Sequence, residues 1–207
     1  EEQRMPDAAP PTWSDAQLPP FPVRRFTVDE YHRMVEAGVL TENDPVELLE
    51  GWIVAKMPHH PSHDATIDQT AEVLRGQLPA GWRIRIQSAI TTDDSEPEPD
   101  LAIVLGPASR YAGQHPGPQD IALLMEVADS SLAYDRDAKA RLYARARIAI
   151  YWIINLVDMQ VEVYSDPSGP AANPGYRQHQ TYRTGEVLPL VIGSQNVGSI
   201  AVRDLLV

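Results

Sequence analysis

The chain has 207 residues, 43% of them apolar and 22% charged, enough to bury the core of one globular domain. It contains no cysteine, which excludes a disulfide framework, a thiolate metal site and a cysteine nucleophile, and fits a reducing cytoplasm. A net charge of −12 argues against a generic nucleic-acid binder, because basic residues on phosphates supply much of that affinity.

Residues 1–23 are rich in proline and alanine and read as a flexible arm; their acidic, polar start is unlike a secretory signal. Residues 24–207 read as a single domain, and no run of about 18 apolar residues suggests a membrane span. Thr27-Val28-Asp29-Glu30 has the form of a capping box, so a helix is expected to about Gly38. Residues 47–54 look like two short strands turning at Gly51. Ser62 is placed to cap a second helix, along which Ile67, Ala71, Leu74 and Leu78 form one apolar stripe. Alternating isoleucines predict a strand over 83–90, and an acidic, proline-rich loop then leads to Asp100. Residues 101–105 and 121–128 read as apolar strands separated by a Gly/Pro loop. A helix over 135–149, strands over 151–157 and 160–164 with a turn at Asp158, and C-terminal hairpins complete the pattern. The order suggests an α/β or α+β domain with a mixed sheet flanked by helices.

Glu126 is the most informative residue. A carboxylate inside an apolar strand needs a metal ion, a cation or a proton to compensate it. A structural acid paired with an arginine would also satisfy that need. Asp100 opens its own strand directly after Pro99, and two adjacent strands can bring both carboxylates to one sheet edge, within about 6 Å if they share a cation. Paired carboxylates suit Mg²⁺ or Mn²⁺, which can hold a phosphate and acidify a bound water. On position alone, Pro-Asp can equally be a strand start after a turn. Lys139 heads a helical stripe with Leu142, Tyr143 and Ala146, so its ammonium is expected to point toward the sheet edge. An Asp135–Lys139 pair on a solvated face is the competing arrangement.

Together these pieces resemble a known family. Glu98-Pro99-Asp100, Met125-Glu126-Val127, Asp135-x-Asp137-x-Lys139 with Tyr143, Tyr151-Trp152, and upstream Glu47-Leu48-Leu49-Glu50-Gly51 and His63 look like the Uma-two restriction endonucleases of the PD-(D/E)XK nuclease superfamily. The resemblance spans roughly 25–207. It implies a restriction-endonuclease-like core with C-terminal β-hairpins, Asp100 and Glu126 as ligands of a divalent metal, and Glu47 as an additional acid. The superfamily lysine belongs two residues after the glutamate, where this chain has Ala128; the resemblance places the lysine on the next helix, at Lys139.

His59, His60 and His63 form a small cluster able to hold zinc, but Pro58 and Pro61 interrupt it and no fourth ligand is evident, so exposed loop histidines are the simpler expectation. His63 near a helix start is also placed to position a phosphate. Arg141, Arg145 and Arg147 form a local basic cluster, expected on a solvated helix face. No Gly-rich phosphate loop and no GxSxG elbow is present. Two functions remain: a Mg²⁺-dependent endonuclease acting on DNA, or a nuclease fold kept as a binding or assembly module, expected as a homodimer.

Overall fold

The computed structural model describes residues 22–41 and 43–207, so most of the expected arm, 1–23, lies outside the described residues. The first helix, α1 (Val28–Glu36), starts where the sequence sets it: Thr27 Oγ1 accepts from the Glu30 N–H and the Glu30 carboxylate accepts from the Thr27 N–H. Its buried Val28 and Tyr31 pack on Leu48 of a hairpin formed by β1 (Val46–Leu49) and β2 (Trp52–Ala55). Glu50 and Gly51 turn that hairpin with φ of 50° and 78°, the both-positive pattern of a tight hairpin turn. A bridge from Leu48 to Glu96 docks the hairpin against the segment that leads to Asp100.

Six strands form the central sheet, in sequential order: β3 (Trp82–Ile86), β4 (Leu101–Leu105), β5 (Ile121–Ala128), β6 (Ile150–Asn155), β7 (Gln160–Pro167) and β8 (Tyr176–Arg183). Every neighbouring pair is antiparallel except β5 and β6. A parallel pair needs a crossover, and here a helical stretch supplies it. That stretch consists of α3 (Leu132–Tyr134), a π turn (Asp135–Lys139) and α4 (Ala140–Arg145). On one face of the sheet, α2 (Pro61–Arg75) and a separate hairpin of β9 (Val187–Ile192) and β10 (Gln195–Ala201) bury Ile67, Leu74, Leu123, Met125, Trp152 and Leu190. On the other, α4 buries Leu142 and Tyr143 against Ala102, Leu124, Ala128 and Ile153. β5, sandwiched between the two layers, is buried at every position. The result is the expected mixed sheet flanked by helices, with C-terminal hairpins.

Several boundaries differ from the sequence expectation, each for a local reason. Helix α2 begins at Pro61, whose fixed φ suits the first helical position, with His60 rather than Ser62 at the cap. It ends at Arg75, leaving Leu78 half-buried against the core beyond the last turn. Strand β3 stops at Ile86 because Gln87 takes a φ of 41°. The alternation is broken there: Ile84 and Ile86 pack on the α2 face, while Ile90 is buried on the other. The crossover helix starts at Leu132 and ends at Arg145, and Arg147 leaves it with a φ of 62°. Among the described residues, no helix is long and apolar enough to cross a membrane.

Candidate active site

One face of the sheet, beside the C-terminal end of β5, opens into a cleft of about 1050 Å³. Glu47 from β1, Asp100 at the start of β4, Glu126 from β5 and Lys139 from the π turn all line it. Each of the four is buried. In β5, the side chains of Glu126, Leu124 and Ala128 share one face while Met125 and Val127 fill the opposite core, so the strand's own alternation aims the carboxylate at the cleft.

Glu126 is the hub. Its Oε1 accepts from Lys139 Nζ at 2.9 Å and from Tyr143 Oη at 2.6 Å, and its Oε2 accepts from the Asp100 N–H at 3.3 Å. Its partner is thus a lysine, and the arginine alternative does not apply. Asp100 Oδ2 accepts from the Val127 N–H at 2.8 Å and pairs with His63 Nε2 at 3.1 Å. Asp100 and Glu126 are therefore cross-linked through each other's backbone, β4 to β5, on one sheet face. Glu47 lies 3.9 Å from Lys139 Nζ through Oε1, and its Oε2 accepts from the Glu98 N–H at 3.1 Å.

The Lys139 stripe holds: Leu142 and Tyr143 are buried, and the ammonium reaches the carboxylates instead of solvent. The solvated Asp135–Lys139 pair does not form. Asp135 is itself buried in the π turn, and its Oδ2 accepts from Ser131 Oγ at 2.5 Å. The turn carries the wide Ala140 N–H to Asp135 O hydrogen bond, and both Asp135 and Lys139 are buried on its inner side. Arg136, between them, points away and clamps Glu162 of β7 with contacts of 2.5 and 3.0 Å.

Six carboxylates (Glu47, Glu98, Asp100, Glu126, Asp129, Asp135) and two lysines (Lys56, Lys139) line the cleft. Burial and that imbalance together set the protonation of its groups. Burial pushes the Glu126 carboxyl up to about 8; Lys139 opposes the rise, and Asp100 and Asp135 add to it. Burial likewise lifts Asp135 to about 6. Burial works against the Lys139 charge, but Glu126, Glu47 and Asp135 outweigh it and hold the ammonium protonated. Burial is thus the main cause of the rise in the two acids, and the surrounding carboxylates are the cause of the rise in the ammonium. Burial also opposes the charge on His63, and Asp100 and Asp64 overcome it, so that His63 too is shifted upward.

The histidines behave differently from one another. His59 and His60 are exposed as expected, but His63 is buried on α2 and stacks on His59 with ring centroids 4.2 Å apart. Ligand atoms of His59, His63 and Asp64 lie within 4.8 Å of one another. His60 stays outside that group and serves as the helix cap. The arginines of α4 are not simply solvated: Arg141 and Arg145 hold Glu50 at 3.2 and 3.3 Å, and Arg145 also holds Asp94 at 2.6 Å. Arg147 alone is exposed. They fasten the β1–β2 hairpin, and so Glu47, to the crossover helix.

Two partners of the site were not legible as such. Tyr143 reads as an apolar stripe residue, and only its hydroxyl's approach to Glu126 gives it a polar task. Asp135 reads as a surface partner of Lys139, since an i,i+4 spacing does not reveal a π turn.

A solved structure with a similar fold is the crystal structure of a putative nuclease belonging to DUF820 from Anabaena variabilis ATCC 29413, with a TM-score of 0.62 and 16% identity over 87% of this chain and 97% of that one. No curated protein matches. The family described as "Uma2: Putative restriction endonuclease" matches residues 28–201, and on that extent the chain belongs to the Uma2 family.

Proposed function

We propose that the chain is a metal-dependent endonuclease that hydrolyses phosphodiester bonds of DNA, with residues 24–207 as one restriction-endonuclease-like domain. The observation that carries this reading is the buried Lys139 ammonium, hydrogen-bonded to Glu126 in a cleft shared with Asp100 and Glu47. A buried cation among excess carboxylates is costly to maintain for stability alone. Its occurrence beside open cleft space fits a site that handles charge.

The donor set suits a hard divalent cation such as Mg²⁺ or Mn²⁺. Asp100 uses Oδ2 for its protein contacts, and Glu126 Oε2 meets only the Asp100 N–H, which leaves carboxylate oxygen on both residues for a metal. Asp100 and Glu126 would hold the ion, which when bound neutralises phosphate charge and makes water more acidic. Lys139, held protonated, orients the attacking water and stabilises the charge that builds on the phosphate. Tyr143 and the Asp100 N–H fix the Glu126 carboxylate so that its geometry survives substrate entry. Glu47 adds a second acidic contact to the ammonium and keeps it aimed at the cleft.

The test is a cleavage assay on duplex DNA, single-stranded DNA and RNA with Mg²⁺ or Mn²⁺. Metal-dependent cleavage of DNA that Asp100→Asn and Lys139→Met abolish is the expected result. Folded protein that binds no Mg²⁺ and cleaves nothing overturns the reading in favour of a nuclease fold used for binding or assembly.

A further inference from the structure

Strand β3 is an edge of the six-stranded sheet and carries Arg83 and Arg85. The register places Arg85 opposite Ala102 and Arg83 opposite Val104. Ala102 and Val104 belong to the core layer on the cleft side, whereas Ile84 and Ile86 pack on the other. Both arginines therefore stand on the same sheet face as Asp100, which lies two residues before Ala102. The next residue after the strand, Gln87, already lines the cleft. Along a strand, residues two apart are spaced about 6.6 Å, so Arg83, Arg85 and the cleft form a line.

These two arginines lack what the chain's other half-buried arginines have. The half-buried Arg141 and Arg145 each hold a carboxylate, and so do the more exposed Arg110 and Arg136. Among the described residues, neither Arg83 nor Arg85 does, and the Nε of each is buried without a hydrogen-bond partner. Arg85 rests on the Tyr111 ring, 5.6 Å from its centroid. Burial and the neighbouring Arg83 charge both disfavour the Arg85 cation. In a chain of net charge −12, two adjacent guanidiniums left to repel each other are an unsatisfied pair of donors awaiting an anion.

We propose that Arg83 and Arg85 form a docking site for backbone phosphates of DNA next to the scissile bond, leading the strand across the β3 edge into the cleft. This rests on the nuclease reading above. It also accounts for how an acidic protein can hold a polyanion: the binding charge is local and lies beside the cleft, apart from the acids. The competing explanation is that charged residues on an edge strand merely block edge-to-edge pairing. Substitution by glutamate separates the two, because a glutamate still guards the edge but repels phosphate.

The experiment measures binding of a fluorescent duplex DNA in Ca²⁺ across a salt series, for the wild type, Arg83→Gln/Arg85→Gln and Arg83→Glu/Arg85→Glu. Each phosphate contact contributes about 0.9 to the slope of log affinity against log salt. Loss of two contacts should make the slope shallower by about 1.8 and weaken binding about 60-fold at 0.1 M salt, extrapolating from 1 M. The glutamate variant should bind more weakly still, while its thermal midpoint and monomer-to-aggregate ratio match the wild type. Single-stranded DNA, RNA and inorganic phosphate run alongside to show which phosphate source the pair prefers. Wild-type cleavage with an unchanged slope in both variants refutes the docking site and leaves the nuclease reading standing. Wild-type binding that the variants lose, without any cleavage, supports Arg83 and Arg85 as phosphate contacts but refutes the nuclease reading and, with it, their place beside a scissile bond. No DNA binding by the wild type refutes both. Should the glutamine variant aggregate, the glutamate variant alone decides.

Discussion

Replacing Glu162 by glutamine should destabilise the protein by an amount that shrinks as the pH falls. Glu162 is 1% exposed on β7 and faces five donors: Arg136 Nε and Nη2 at 3.0 and 2.5 Å, Asn155 Nδ2 at 2.8 Å, Tyr164 Oη at 2.8 Å and, more weakly, Gln160 Nε2 at 3.4 Å. Burial alone would raise its pKa, but the hydrogen bonds from Arg136, Asn155 and Tyr164 overcome it and hold the carboxyl down at about 2. A folded-state pKa below the unfolded value means stability that is present above the unfolded value of 4.5 and lost as pH falls toward 2. The shift corresponds to a few kcal/mol at neutral pH, of which about half is gone at pH 3. Urea unfolding of wild type and Glu162→Gln at pH 7, 5, 4 and 3 reads the difference directly. The gap between the two should narrow by about 2 kcal/mol from pH 5 to pH 3. A gap that stays constant would show that the residue acts by shape alone, and would refute the claim that its charge pins Arg136 and, with it, the turn carrying Lys139.

Three further outcomes follow. Excess Mg²⁺ should raise the thermal stability of the wild type, by about 2.7 kcal/mol at a hundredfold excess over Kd, and leave Asp100→Asn unmoved; asparagine is chosen because its amide oxygen can still accept from the buried Val127 N–H, and an equal response in both proteins puts the ion elsewhere. Lys139→Met should abolish cleavage yet keep a Mg²⁺-induced thermal shift, since it removes no metal ligand; loss of the shift would move the lysine from chemistry to ion binding. Gly51→Ala should destabilise by about 2–4 kcal/mol in urea unfolding, because φ is 78° and the new Cβ would lie 2.6 Å from Arg25 Cβ and 2.9 Å from the Phe26 carbonyl; a cost below about 0.5 kcal/mol would contradict the hairpin's tight seating.

The parts of this molecule that were readable from sequence are those in which one residue's cost is visible locally. Glu126 stands out because an apolar strand cannot absorb a carboxylate, and the structure gives it three donors. The Thr27 capping box and the Gly51 turn are likewise local and appear where expected. What stayed hidden depends on partners far away in sequence. The task of Arg141 and Arg145 depends on Glu50, about 90 residues upstream. The register break at Gln87, which sends Ile90 to the other core layer, depends on a single positive φ that no periodicity announces. His63 could be read as a loop histidine or as a helix-start residue, and only the approach of α2 to β4 shows it as the partner of Asp100.

On the proposed reading, a lysine moved from residue 128 to Lys139 illustrates why position in sequence is a weaker constraint than position in space. Residue 128 shares the Glu126 face of β5, but it is fully buried in the apolar layer that also holds Leu124, Leu142 and Tyr143. A lysine there would have to bury its stem in that layer and displace atoms from a close-packed core. Alanine fills the space, and the ammonium arrives instead from the helix overhead. An ordinary helical turn would offer the cleft one inward residue and its i+4 neighbour on a shared stripe. Asp135 and Lys139 are such a pair and face the cleft together from the π turn, while Arg136 on its outer side anchors the turn to Glu162. The proposed chemistry asks for an ammonium beside the strand carboxylate, and Lys139 Nζ lies 2.9 Å from Glu126 Oε1. Ala128 is thus the consequence of a core that closes over β5, and Lys139 is what keeps the charge in place.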